Sequence, residues 1–91
     1  MKLEIYGVSK KELDFNNWGE KVGKFLGTYD GVEFKSNKYK IEELEEFDYL
    51  HIFIEGKLKA HSPKRFNKNI GEKLQKMYIR EFGETIQISL F

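Results

Sequence analysis

Residues 49–58, YLHIFIEGKL, carry the clearest strand pattern of the 91-residue chain, and the predicted fold is built around them. Their side chains alternate in character, and a strand turns successive side chains to opposite faces of a sheet. One face is aliphatic and carries Leu50, Ile52 and Ile54. The other is aromatic and polar and carries Tyr49, His51, Phe53 and Glu55. Gly56 predicts a bulge or a turn near the end of this strand.

Similar alternation predicts strands towards both ends of the chain. The first covers residues 3–7 and the last covers residues 85–91. Between them, residues 32–41 predict either a hairpin or one long bulged strand, because the parity of the apolar positions changes between Phe34 and Tyr39.

A first amphipathic helix is predicted from Asn16 or Asn17 to Gly27, because apolar residues recur there at helical spacing. Two glycines, Gly19 and Gly23, lie inside it. Each costs about 0.5–1 kcal/mol relative to alanine, which predicts either a close backbone approach or a less regular helix. The apolar stripe consists of Phe15, Trp18, Val22, Phe25 and Leu26.

A second amphipathic helix is predicted to begin at Ser62-Pro63 and to end at Gly83, since serine caps free amides and proline suits the first turn. Its apolar stripe consists of Phe66, Ile70, Leu74, Met77 and Tyr78, and its solvent side carries the basic residues Arg65, Lys68, Lys76 and Arg80. Before it, apolar residues three apart in residues 41–47 predict a loop or a single helical turn.

This order of elements predicts an α+β fold. Two helices on one face of a mostly antiparallel or mixed sheet would cover the aliphatic side of every strand. A two-layer α/β sandwich, of the ferredoxin-like βαββαβ type or a close variant, meets that requirement. A chain of 91 residues is expected to form a single domain, residues 1–91.

The composition excludes several classes of protein. Cysteine is absent, which rules out a disulfide framework, a thiol nucleophile and cysteine-ligated metal sites. No apolar run approaches the roughly 18 residues of a membrane span, so we expect no membrane partner. An acid at Glu4 argues against a secretion signal, so we expect a cytoplasmic protein. The preference for lysine over arginine suggests a bacterial or phage origin.

The charges are balanced overall but unevenly distributed. Sixteen basic and fifteen acidic residues give a net charge of +1, which does not indicate whole-molecule attraction to nucleic acid. Most charged residues in residues 57–80 are basic, whereas the charged residues in residues 42–55 are all acidic. The acidic segment is defined by Glu42, Glu43, Glu45, Glu46 and Asp48.

No catalytic motif is present, and we predict no catalytic residue, metal or cofactor. The sequence lacks a nucleophile elbow, a P-loop, a dinucleotide fingerprint, a zinc-protease helix and an EF-hand loop. The histidines, His51 and His61, lie ten residues apart on different predicted elements. An enzyme that pairs one of them with a distant carboxylate, including one across a dimer, remains a third interpretation.

The predicted fold leaves one sheet face uncovered. That face would carry the aromatic residues Tyr6, Tyr49, His51 and Phe53, with Phe91 beside them. Such rings anchor a partner protein or a second copy, or stack on nucleic-acid bases, unless a segment such as residues 34–44 folds across them.

The leading prediction is therefore a non-catalytic, inhibitor-, immunity- or adaptor-like module that recognises another protein through this face and the acidic segment. The alternative is a nucleic-acid-binding module that uses Arg65, Lys68, Lys76 and Arg80.

Overall fold

The computed structural model describes residues 1–83, which form an antiparallel five-stranded sheet and one α-helix. The strands lie in the order β3-β2-β1-β4-β5. Their bounds are β1 Leu3–Val8, β2 Lys24–Tyr29, β3 Phe34–Lys35, β4 Tyr49–Ile54 and β5 Lys57–Pro63. The helix α1 spans Ile70–Phe82, and 3₁₀ turns occupy Phe15–Asn17, Ile41–Glu46 and Lys64–Phe66. The predicted α+β class is confirmed at this level.

β4 and β5 form a hairpin around Glu55 and Gly56, which confirms the turn predicted at Gly56. Both residues have positive φ, 49° and 81°, as a two-residue type I′ turn requires. A bulge follows between Ile52 and Phe53 and shifts the register by one residue. As a result, His51 lies directly opposite His61.

The core lies on the aliphatic face of the sheet. Leu3 and Ile5 of β1 share this face with the alternate residues of β4, and α1 and the 41–46 turn pack over them. Each such side chain contributes about 1.5–3 kcal/mol when fully buried. The covering apolar residues are Leu44, Ile70, Leu74, Met77 and Tyr78.

The second predicted helix begins later than expected. Ser62 and Pro63 end β5 instead of starting a helix, because the Ser62 hydroxyl donates to buried Asn67 while the Asn67 amide donates back to the Ser62 carbonyl at 3.2 Å. The predicted end at Gly83 is confirmed, since its backbone N–H donates to the Ile79 carbonyl at 2.8 Å.

The first predicted helix, residues 16–27, is wrong. That stretch forms part of one 3₁₀ turn, an irregular segment and the first part of β2. Gly19, Gly23 and Gly27 have φ values of 89°, 80° and 157°, which a right-handed helix does not accommodate. A Cβ atom on Gly23 would lie 2.2 Å from the Gly7 carbonyl oxygen, so this glycine marks a close backbone approach. The two-helix ferredoxin-like layout is therefore not confirmed.

The remaining predictions have mixed outcomes. Residues 32–41 form neither a hairpin of their own nor a long strand, because only Phe34–Lys35 pairs, and it pairs with β2. For residues 41–47 the prediction was a loop or a single helical turn, and the structure has the helical alternative, the 3₁₀ turn Ile41–Glu46. The strand predicted over residues 85–91 lies outside the described residues.

Candidate functional site

The candidate site lies on the second face of the sheet, which we call the aromatic face. The strand register places Tyr6 of β1, His51 of β4 and His61 of β5 side by side across it. Tyr6 makes edge-on contacts with Phe25 of β2 and Phe53 of β4, with both ring centroids 5.4 Å away. Aromatic side chains from four strands therefore form one continuous surface.

Residues 9–23, the covering segment, lie over part of this face. The backbone N–H of Lys10 donates to Asp48 at 3.1 Å, which fixes the start of the segment next to β4. Near its end, the Lys21 ammonium lies 3.0 Å from the Glu4 carboxylate and 5.8 Å from the centre of the Phe53 ring. Hydrogen bonding to Glu4 raises the pKa of Lys21, so the contact stabilises the charged ammonium.

Local hydrogen bonds shape the covering segment itself. A turn begins at Ser9, whose backbone N–H donates to the Glu12 carboxylate at 2.8 Å. The Asp14 carboxylate accepts from the backbone N–H groups of Asn16 and Asn17 and so caps the 3₁₀ turn. The capping residue is thus Asp14, and the α-helix predicted from Asn16 or Asn17 does not form.

Trp18 is the part of the covering segment that contacts the histidines. The centroid of its ring lies 4.9 Å from that of His61 and 5.9 Å from that of His51. On the other side, Tyr49 stacks on His61 with a centroid distance of 4.8 Å. The Trp18 side chain nevertheless remains 52% exposed. It is therefore an exposed indole supported from below by two imidazole rings.

The two histidines are joined directly. His51 Nε2 and His61 Nδ1 lie 2.8 Å apart, so one nitrogen donates a proton and the other accepts it. Within residues 1–83, the buried Nδ1 of His51 has no hydrogen-bond partner. A buried N–H without a partner is rarer than a bare acceptor, which favours the tautomer in which His51 Nε2 donates to His61.

Both histidines are neutral at pH 7. Burial, with a smaller contribution from the charge of His61, lowers the pKa of His51 to about 4. Burial also lowers the pKa of His61. Since a proton on His51 would carry a positive charge into a fully buried site beside a second imidazole, the folded state holds this residue uncharged.

The histidine pair does not assemble a recognisable catalytic or metal-binding group. Among the described residues, no hydroxyl or carboxylate hydrogen-bonds to either imidazole, so neither ring has an acid to orient it or a nucleophile to activate. Residues 1–83 also contain no cluster of three or more His, Asp or Glu side chains suited to a metal ion.

The predicted bare aromatic face is only partly correct. His51 and Phe53 are fully buried, so their predicted exposure is wrong, whereas Tyr6 and Tyr49 are half-buried. Phe91 lies outside the described residues. His51 and Phe53 are buried because the first predicted helix does not form. Residues 9–23 cross the aromatic face instead of covering the aliphatic one.

Four of the five acids of the acidic segment lie on the 3₁₀ turn Ile41–Glu46, which is in the layer with α1 because its Leu44 belongs to the aliphatic core. Asp48 follows this turn and contacts the covering segment. Three of the five carboxylates accept backbone N–H bonds, and these are Glu43 from Lys40, Glu45 from Asn69 and Asp48 from Lys10. Glu46 lies 3.8 Å from Lys64, and Glu42 is exposed. Most of these acids therefore have a structural partner.

All four residues of the predicted basic surface are exposed, but they do not lie on one helix. Only Lys76 and Arg80 belong to α1, where they pair with Glu72 and Glu81 at 3.4 Å. Arg65 lies in the preceding 3₁₀ turn, and Lys68 lies in the connection to α1. The predicted continuous basic helix face is therefore wrong.

The sequence reasoning missed three exposed aromatic residues. Trp18, Phe25 and Phe66 were expected in helical core stripes, yet they are 52%, 52% and 49% exposed. The pairing of His51 with His61 was also missed. Its signal was the dipeptide Glu55-Gly56, because a two-residue turn there pairs β4 with β5 and brings the histidines to within one residue of each other.

No protein-family model, curated protein or solved structure matches this chain. In residues 1–83 there is also no helix of the length and apolar character that a membrane crossing needs. The functional conclusion consequently rests on the geometry of the aromatic face.

Proposed function

We propose that this chain is a small non-catalytic binding module that recognises another protein through the rim of its aromatic face. The observation that carries the proposal is the state of Trp18, which is half exposed and held against His51 and His61. Tryptophan and tyrosine are enriched among the residues that dominate protein interfaces. A ring already held in place loses little conformational entropy when a partner covers it.

Phe25 extends the same surface. Its ring is 52% exposed and contacts Tyr6, which in turn contacts buried Phe53. Trp18 and Phe25 thus replace His51 and Phe53 as the apolar anchors, while the histidines support the surface from beneath. Tyr6 and Tyr49, both half-buried, form part of the same rim.

The acidic segment has a secondary role in this proposal. Glu42 and Glu46 are exposed and accept no backbone hydrogen bond among the described residues, and Glu46 lies 3.8 Å from the exposed Lys64. In this proposal both carboxylates attract a basic partner surface. Because both residues lie in the layer with α1, their charges act on the approach of the partner more than on the final contact.

The test is quantitative capture of proteins from a lysate of the source organism on immobilised wild-type and variant chains. A specific partner should be retained by the wild type and by Phe66→Ala, and lost with Trp18→Ala or Phe25→Ala. Phe66→Ala is the matched control, because it removes an equally exposed ring elsewhere on the molecule. A partner retained equally by all variants would contradict the use of this face.

A second experiment distinguishes the effect of the acidic segment on the association rate from the contact that the aromatic side chains make with the bound partner. Reversing Glu42 and Glu46 to lysine should slow association with that partner and change its salt dependence, with little effect on dissociation. An unchanged association rate would remove the acidic segment from the proposal but leave the aromatic anchors in place.

A second candidate function, nucleic-acid binding, is favoured by the surroundings of Phe66. The guanidinium carbon of Arg65 lies 4.6 Å from the centre of this exposed ring, and the Lys73 ammonium lies 5.6 Å from it. An exposed ring with two cations close to it suits a stacked base with its phosphates.

Fluorescence anisotropy with a labelled single-stranded oligonucleotide tests this alternative. Affinity should fall steeply with salt, Phe66→Ala should weaken it, and removing Lys68, Lys76 and Arg80 should flatten the salt dependence. An absence of binding at low salt would eliminate it.

A further inference from the structure

A groove lies beside the aromatic face, at the outer edge of β2. It has a volume of about 330 Å³ and is lined by residues 24–26 of β2 and by residues 36–39, which follow β3. Phe25 belongs both to this groove and to the aromatic rim. The groove is therefore continuous with the surface assigned to partner recognition.

The edge of β2 is open along the groove. β3 pairs only with Thr28 and Tyr29, so residues 24–26 have no strand on their outer side within residues 1–83. The Ser36 hydroxyl accepts from the backbone N–H groups of Lys38 and Tyr39 and donates to the Leu26 carbonyl. The bond to Leu26 ties Ser36 to β2 and occupies this carbonyl, so the free part of the edge along the groove is Lys24 and Phe25.

The groove is positively charged. Lys24 and Lys38 both line it, both are exposed, and neither makes an ion pair with an acid of the described chain. None of the described residues that line the groove is acidic. Lysines at an open edge repel basic strands, including the edge of β5 with its Lys57 and Lys59, and attract acidic ones.

We propose that the groove binds an extended acidic segment of the partner protein as a strand added along β2, an inference that rests on the proposed function. Main-chain hydrogen bonds to the free part of the β2 edge, Lys24 and Phe25, supply part of the affinity. The acidic side chains of the bound segment meet Lys24 and Lys38, and its apolar side chains meet Phe25. The acidic segment of a second copy is a poorer occupant, because residues 41–46 form a 3₁₀ turn whose carboxylates are partly engaged.

The test uses isotope-labelled full-length chain in NMR titrations with a short blocked peptide of alternating glutamate and valine, and with the matching lysine–valine peptide. The acidic peptide should shift the amide signals of residues 24–27 and 36–39. Lys24→Glu combined with Lys38→Glu should weaken its binding by roughly tenfold or more, since both charges become repulsive. The lysine peptide should not bind.

Lys57→Glu combined with Lys59→Glu is the matched control, because it reverses two exposed lysines on the opposite edge of the sheet and should leave binding unchanged. Three outcomes would overturn the inference. They are an equal loss of peptide binding in both double variants, amide shifts near lysines all over the molecule, and no amide shift at all. The same amide shifts on dilution of the protein alone would also overturn it, because they would identify a second copy as the occupant.

Trp18→Ala separates this inference from the proposed function. Trp18 does not line the groove, so the variant should bind the acidic peptide like the wild type. If the peptide fails to bind while Trp18→Ala still loses its captured partner, only the groove assignment falls. If the peptide binds at the groove but Trp18→Ala retains every partner, the anchoring role of the aromatic face falls instead.

Discussion

The two faces of the sheet are closed in different ways. The aliphatic face packs against α1 and the 41–46 turn. Their inward-facing side chains, Leu44, Ile70, Leu74, Met77 and Tyr78, are fully or almost fully buried. The aromatic face lies under residues 9–23, which contain one short 3₁₀ turn and leave Trp18 half exposed above a pair of histidines. This contrast indicates that the aliphatic face supplies most of the stability, whereas the aromatic face carries the proposed recognition surface and the two histidines with lowered pKa values.

The largest expected effect is a loss of stability from the aliphatic face. Leu74 of α1 is fully buried, so Leu74→Ala should lower the free energy of unfolding by about 3–4 kcal/mol in urea denaturation. Ile79→Ala on the same helix is the control, since Ile79 is exposed and should cost less than about 1 kcal/mol. Similar values for the two variants would show that α1 does not carry the core.

The next effect tests how tightly the covering segment joins the sheet. Gly23→Ala should cost about 2–3 kcal/mol, because it adds a collision with the Gly7 carbonyl to the strain of a positive φ. Gly19→Ala isolates the strain, since Gly19 has a similar φ but nothing within 4 Å of its added Cβ. The two losses in free energy of unfolding, measured by urea denaturation, differ by the cost of the close approach alone. A difference near zero would show that the backbone at residue 23 moves to accommodate the added Cβ.

The elements predicted correctly are those with local signals. The alternation in residues 49–54, the turn at Gly56 and the helix end at Gly83 all depend on neighbours in sequence. The first predicted helix is wrong because the apolar residues that recur there at helical spacing have other positions in the structure. Leu26 enters the core from a strand, while Trp18 and Phe25 remain half exposed on the aromatic face. The cost of Gly19 and Gly23 was the sign that a regular helix was unfavourable there.

The candidate site was harder to predict from the sequence than the fold. Alternation placed Tyr6, Tyr49, His51 and Phe53 on one face correctly, because side-chain direction in a strand is a local property. Which of them are buried depends on where residues 9–23 lie, and that is a long-range property. The contact of Trp18 with His51 joins residues far apart in sequence, and no local periodicity signals it.

The pH dependence of stability should come from the aromatic face. In the unfolded chain histidine titrates near 6.5, whereas in the folded protein the pKa of His51 is about 4 and that of His61 is also lowered. Between these values the unfolded chain binds more protons, so the free energy of unfolding falls as the pH decreases. For His51 the expected loss between pH 7 and pH 5 is about 2 kcal/mol, measured by urea denaturation at both values.

The control for this prediction is His51→Phe, which keeps an aromatic ring under Trp18 but removes the titrating group. Its free energy of unfolding should change much less between pH 7 and pH 5 than that of the wild type. An equal change in both proteins would assign the pH dependence to other groups and would remove the distinction between the two faces.

The smallest expected effect on stability concerns Trp18. Trp18→Ala should cost only about 1 kcal/mol, because half of the ring is already exposed and the covering segment has room to adjust. The same variant should clearly raise the pKa of His51, since removing the indole admits water and weakens the burial that lowers the pKa of this imidazole. NMR titration of the imidazole signals should then show the pKa of His51 moving from about 4 towards 6.5, while Phe66→Ala leaves it unchanged. If Trp18→Ala leaves the pKa of His51 in place, the histidine pair is buried by the sheet itself, and the covering segment no longer accounts for the difference between the faces.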